Sequence, residues 1–224
     1  MAGLVITVAQ QKGGAGKTTL AIHLAAAFAK MGKSTLLFDT DPQGTCRNWH
    51  ALRKASDIGL IATSGWRLTK DLQMAVDTND IIVIDSPPHA EMDAKAAIRA
   101  ADLVVLPLQP SPADLWAVRE TAKMVAAEKR PALAVLNRVV PRAGITDEIR
   151  AKLALMDIEV AQNAIGSRVI FATSMEKGNT VLDEGKNPSA DEVMALAHEI
   201  AQKLGLAPAK ATKARKGAAA TARA

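Results

Sequence analysis

One short stretch, QQKGGAGKTT at residues 10–19, constrains this chain more than any other. The apolar run Leu4–Ala9 ahead of it reads as a strand, and the Ala/Leu-rich stretch Lys17–Met31 behind it reads as a helix. Glycines between a strand and a helix let backbone N–H groups turn inward, and the helix N-terminus adds a positive dipole. Together these cradle a phosphate. Lys17 would bridge the β- and γ-phosphates of a nucleotide, and the Thr18 hydroxyl would ligate Mg²⁺. Gly13, Gly14, Ala15, Gly16 and Thr19 complete the cradle. The general pattern G-x-x-x-x-G-K-[ST] asks for glycine at position 11, where this chain has Gln11, so Gly13 and Gly14 must supply the flexibility. One cradle needs one lysine, yet Lys12 places a second at the front of the loop.

Beyond the loop, short apolar runs alternate with amphipathic stretches. This is the pattern of an α/β fold, a mostly parallel twisted sheet with helices on both faces. Strands are expected at Leu4–Ala9, Ser34–Asp39, Gly59–Thr63, Ile81–Asp85, Leu103–Pro107 and Ala132–Asn137, with a weaker one near Ile158–Gln162. Helices are expected at Lys17–Met31, Arg67–Val76, Met92–Ala100, Pro112–Glu128, Asp147–Leu155 and Ala190–Leu204. Gly32 should stop the first helix, and Ser189 with Glu192 forms a capping-box pattern for the last. Hydrophobic residues make up 49% and aromatics only 3%, so the core must be aliphatic. No internal repeat is visible.

Ligands of such sheets bind beyond the carboxyl ends of the strands, which gives weight to acids found there. FDTDPQG puts Asp39 and Asp41 at the tip of the second strand, and IIVIDSPP ends an apolar run in Asp85. One such acid is usually a solvated turn; three with a phosphate loop point to a single metal–phosphate site.

K-G-G-A-G-K-T-T at 12–19, D-T-D-P-Q-G at 39–44 and D-S-P-P at 85–88 closely resemble the ParA/MinD group of P-loop ATPases. P-L-Q-P-S-P-A-D at 107–114 and the stretch from Arg168 to Val181 extend the resemblance over residues 4–204. It implies ATP and Mg²⁺ as cofactors and an ATP-dependent homodimer. Lys12 would be the signature lysine that reaches across the dimer to the partner's phosphates. Asp41 would position the attacking water, Asp39 and Asp85 would organise Mg²⁺ through its waters, and Asn137 would lie on the adenine side. An N-K-x-D guanine reader is missing, which favours ATP.

Absences narrow the group. A cluster-bridging relative needs two cysteines per subunit and this chain has only Cys46; a tyrosine autokinase needs tyrosine, and there is none. Cys46 alone rules out an intrachain disulfide and fits a reducing compartment. The first residues, MAGLVITVAQ, lack the basic start of a signal peptide, and no apolar stretch approaches the roughly 20 residues of a membrane span. A cytoplasmic, nucleoid-associated protein is expected. His23, His50, His89 and His198 show no metal-ligand spacing.

The net charge of +5 sits at one end. Lys210, Lys213, Arg215, Lys216 and Arg223 lie in the tail, and taking these five from 28 basic residues leaves 23 to balance 23 acids. The expected division is an ATPase domain over 1–206 and a basic, disordered tail over 207–224, either a solubilising end or an arm for a polyanion. The tail's Ala and Thr lack the large apolar face of a membrane-inserting helix, so no stable membrane insertion is expected. With strand one starting at Leu4, no N-terminal helix-turn-helix domain is expected, so DNA contact would be nonspecific. By the same resemblance, Arg168 lies where relatives place a DNA-contacting arginine and Lys186 lies near another basic position of that surface; a structural salt bridge is the alternative for each. The resemblance thus implies a ParA-like ATPase that positions a cargo on DNA and is released when a ParB-like or other adaptor stimulates hydrolysis. A metabolic ATP-dependent ligase or amidase, or a MinD-like membrane-cycling ATPase, is the alternative.

Overall fold

The computed structural model describes residues 2–88, 91–140 and 144–206, and its strands fall on six of the expected apolar runs. In chain order these are β1 (Leu4–Val8), β2 (Thr35–Asp39), β3 (Ile58–Ala62), β4 (Ile81–Asp85), β5 (Leu103–Leu108) and β6 (Ala132–Leu136). All pair in parallel, in the order β3-β2-β4-β1-β5-β6. The basic tail, with Lys210, Lys213, Arg215 and Lys216, and His89 lie outside the described residues.

Both sheet faces are covered, which is why the runs are apolar throughout rather than alternating. Ile81 and Val83 of β4 join one core with Ile6, Val8 and α1 (Lys17–Lys30); Ile82 and Ile84 join another with Val5, Phe38 and α3 (Gly65–Ala75). The first core is closed by α8 (Pro188–Lys203), whose Val193, Leu196, Ala197 and Ile200 pack there. A third, around Val104, Leu106 and Leu136, is covered by α5 (Pro112–Ala127) and α6 (Ile145–Leu155). The remaining helices are α2 (Thr45–Leu52), α4 (Glu91–Ala100) and α7 (Ile170–Met175), with a 3-10 turn at Val181–Asp183. β1 sits where the winding direction reverses, so the loop after it opens at the point where such sheets bind ligands.

Several expectations change. The weak strand near Ile158–Gln162 is only an isolated bridge, Ala134 to Val160. The capping box on Ser189 is not formed. Asn187 caps α8 instead, its side chain accepting from the Ala190 N–H, with Pro188 in the first turn. Ser189 is buried, and Glu192 is engaged by Arg168. α2 and α7 were not expected: TCRNWHAL buries only Cys46 and Trp49, too few apolar positions for a period to show.

Candidate nucleotide-binding site

The loop after β1 owes its shape to bonds on its outer side. Gly14 and Gly16 take φ of 81° and 88°, the left-handed region that glycine tolerates. Gly14 O accepts from Gln109 Nε2 at 3.1 Å and Arg138 Nη1 at 3.2 Å, and Ala15 O accepts from Asn137 Nδ2 at 2.9 Å. A trans peptide points its N–H opposite to its C=O, so the amides of Ala15 and Gly16 turn away from these donors. At Gly16 a Cβ would stand 2.4 Å from Asn137 Nδ2, so any side chain there would push that amide aside and strain the backbone.

The two lysines go to different places. Lys17 is buried, and its Nζ donates to Lys12 O at 3.4 Å. Burial lowers its pKa, opposed by the nearby charges of Asp85 and Asp41. Lys12 instead leaves the loop and pairs with Asp114 Oδ2 of α5 at 2.5 Å, its side chain 39% exposed and that of Asp114 only 3%. Burial alone would raise the Asp114 carboxyl, but Lys12 and the Ser111 hydroxyl hold it below the usual range. Ser111 Oγ donates to it at 2.6 Å, so Asp114 keeps a partner even without Lys12.

Opposite the loop, Asp39 and Asp85 end adjacent paired strands and stand in register. Asp39 accepts from the Arg47 N–H at 3.0 Å and the Asp41 N–H at 3.2 Å, and burial raises its pKa. Asp85 is fully buried, and burial pushes its pKa up to about 7 against the Thr18 hydroxyl, the Cys46 thiol and Lys17. Its Oδ1 has no hydrogen-bond partner. A buried carboxylate pair with one unpartnered oxygen calls for a cation, so Asp39, Asp85 and Thr18 fit Mg²⁺. Asp41 lies just beyond, half-buried, in a cleft of about 290 Å³ shared with Arg47, Arg67 and Asp93.

On the other side of the loop, a cavity of about 140 Å³ is lined by Thr19, His23, Asn137, Arg138, Arg168 and Phe171. Its lining combines apolar Leu20, Ile165 and Phe171 with polar Asn137 and Arg138, the mixture typical of small-molecule sites. Asn137 lines it but already spends its amide on the loop, a role not expected from sequence. Arg168 forms a bidentate pair with Glu192, at 2.6 and 2.7 Å, which is the salt-bridge reading of the two. Lys186 is exposed and has no ion pair among the described residues. Sequence reasoning missed Asp114, Gln109, Arg138 and Cys46 as site residues. The first two lie in the P-L-Q-P-S-P-A-D stretch, which was the available signal.

Residues 6–181 match the family model described as the CobQ/CobB/MinD/ParA nucleotide binding domain. The chain is 26% identical over 206 residues to the "Maintenance of carboxysome distribution protein A" of Halothiobacillus neapolitanus, covering 87% of this chain and 95% of that one. It is 30% identical over 237 residues to the "Chromosome-partitioning ATPase Soj" of Thermus thermophilus, covering 87% and 94%. Among solved structures, the septum site-determining protein MinD of Pyrococcus horikoshii, complexed with Mg-ADP, superposes with a TM-score of 0.75 at 17% identity, covering 91% and 98%. With the family model matched over most of its length and the sheet shared with a solved relative, the chain belongs to the CobQ/CobB/MinD/ParA nucleotide-binding family of P-loop proteins.

Proposed function

We propose that this protein is a ParA-like positioning ATPase. It binds ATP, pairs with a second copy through the nucleotide, holds DNA nonspecifically in that state, and lets go when a cargo-bound adaptor stimulates hydrolysis. The observation that carries this reading is the division of labour between the lysines. Lys17 is buried beside the strand-end acids, while Lys12 projects from the same loop to a half-exposed position on α5. A lysine held outside its own cradle on Asp114 can be released to serve another, because Asp114 keeps Ser111 as a partner.

Within one subunit, the amides of Ala15 and Gly16, with Lys17, hold the phosphates. Thr18, Asp39 and Asp85 hold Mg²⁺, which when bound neutralises phosphate charge. Asp41, tethered through its own N–H to Asp39, orients the attacking water; phosphoryl transfer needs such positioning more than covalent help. The cavity beside Asn137 receives the base.

The surface supports pairing on this face. Of the nine large apolar side chains most exposed among the described residues, Trp66, Met92, Trp116, Val140, Ile145 and Val169 all follow the carboxyl ends of strands or the loop beside them. In a parallel sheet that is the end from which the phosphate loop also emerges, a face that a second copy would cover. The relatives' names, one concerning carboxysome distribution and the other chromosome partitioning, support large-cargo positioning while differing in the cargo. The family model also spans CobQ and CobB, which keeps an ATP-dependent amidase as the second reading. A DNA mobility shift with ATP, ADP and no nucleotide separates the two. Retention with ATP alone is expected; no retention in any state would leave the amidase reading in its place.

A further inference from the structure

The two acids beside the phosphate loop share their pocket with a thiol. Cys46, fully buried in the first turn of α2, places Sγ 3.4 Å from Asp85 Oδ2. One ligand atom each from Asp39, Cys46 and Asp85 lie within 4.8 Å of one another. Asp85 Oδ1, the oxygen that also suits Mg²⁺, stays unpartnered in the nucleotide-free chain although the residue is fully buried. An oxygen of that kind points to a ligand, and the sulfur says which kind.

Mg²⁺ is a hard cation that takes oxygen ligands and gains nothing from sulfur. Two carboxylates and a thiolate form a softer set, of the type that binds Zn²⁺. We propose that Asp39, Cys46 and Asp85 form a site for a borderline-soft divalent cation, Zn²⁺ or its analogue Co²⁺, which the nucleotide-free chain takes up. Tetrahedral Zn²⁺, with bonds of about 2.0–2.3 Å, spaces its ligands roughly 3.3–3.8 Å apart. Cys46 Sγ and Asp85 Oδ2, 3.4 Å apart, already meet this spacing, and the other pairs need to draw in by at most about 1–1.5 Å. Strand pairing fixes the backbones of Asp39 and Asp85, so the adjustment falls on their side-chain torsions and on α2, a helix of eight residues. Sulfur binds as thiolate, so the cation must displace the proton that Cys46 donates to Asp85, against the burial that raises the thiol, and that proton leaves to solvent. Three protein ligands leave a fourth position for water, as in open zinc sites.

The site rests on the proposed function at one point only, that Asp39 and Asp85 also serve Mg²⁺. A chain loaded with Zn²⁺ would then accept Mg²⁺ with ATP poorly, which makes the site inhibitory.

Titrating nucleotide-free, Mg²⁺-free protein with cobalt chloride tests this by absorption. The wild type is expected to bind one Co²⁺ per chain with a sulfur-to-cobalt charge-transfer band that Zn²⁺ removes. Cys46→Ser should lack the band and bind at least about tenfold more weakly. Asp39→Asn should keep a band but also lose affinity, and it decides the matter if circular dichroism shows that Cys46→Ser does not fold. A wild type without the band, or either folded variant binding cobalt as the wild type does, would overturn the proposal. The ATP-dependent DNA shift is read separately, so a negative cobalt result leaves the ATPase reading standing, and a negative shift leaves the metal site standing.

Discussion

Lys12 and His23 show how much a single side chain decides around this loop. If Lys12 acts on a partner's phosphates, Lys12→Ala should bind ATP almost normally, because Lys17, Thr18 and the loop amides remain. The ATP-dependent dimer should be lost, since two sets of phosphates would face each other without the cross-subunit cations that offset their repulsion. Light scattering with ATP and Mg²⁺ reads this, and a normal dimer would return Lys12 to the role of an ordinary solvated lysine. His23 makes a different argument. Its Nδ1–H donates to Thr19 O at 2.7 Å and its Nε2 accepts from the Val181 N–H at 3.2 Å, so only the neutral ring fits. Burial lowers its pKa to about 4. The unfolded chain takes up this proton near pH 6.5 and the folded chain resists it. The stabilisation is therefore complete above pH 6.5 and is lost as pH falls toward 4, by up to about 3 kcal/mol. Asp85, raised to about 7, acts with the opposite sign over the same range. The difference between wild type and His23→Gln in urea unfolding cancels that shared contribution. The wild type's advantage should shrink between pH 6.5 and 4; parallel curves would show that His23 does not titrate this way.

At the scale of elements, α8 gives the sharpest test. Asn187 accepts from the Ala190 N–H, and its Nδ2 donates to Val181 O at 2.8 Å and Gly185 O at 3.0 Å. It therefore caps the helix and ties it to the 3-10 turn. Asn187→Ala should cost about 1–2 kcal/mol, lowering Tm by roughly 2–4 °C per kcal/mol in a chain of this size. Ser189→Ala should cost less, the reverse of what a cap at Ser189 would give, and calorimetry on the two variants decides. The misplacement has a physical origin. Ser189 and Glu192 have capping-box spacing, but Pro188 is well suited to the first turn of a helix and moves the start two residues earlier. Strands were easier to read than this helix start, because an apolar run buried on both faces leaves no choice of face. α2 was hardest, since its two buried residues, Cys46 and Trp49, take their meaning from what lies opposite. The Trp49 Nε1–H donates to Asn179 O, 130 residues away.

At the scale of the whole molecule, the charge distribution makes the prediction. The excess of +5 lies entirely in the segment after residue 207. Removing Pro208–Ala224 should weaken DNA binding without abolishing it and flatten its salt dependence, by roughly 0.9 in log–log slope for each DNA phosphate that the tail had neutralised. Identical slopes for the two chains in titrations at several salt concentrations would make the tail a passive end. The sequence by itself determined what depends on neighbours along the chain. The strand–loop–helix at residues 4–30, the aliphatic runs that become β1 to β6, and the acids at the tips of two of those runs are all local patterns. Only the tertiary structure decided which distant groups meet. Asp39 and Asp85 form a pair because β2 lies beside β4, and Lys12 finds Asp114 because α5 returns past the loop. An unbroken apolar run encodes a strand buried on both faces. It does not encode which strand lies beside it, and in this protein that neighbour makes the site.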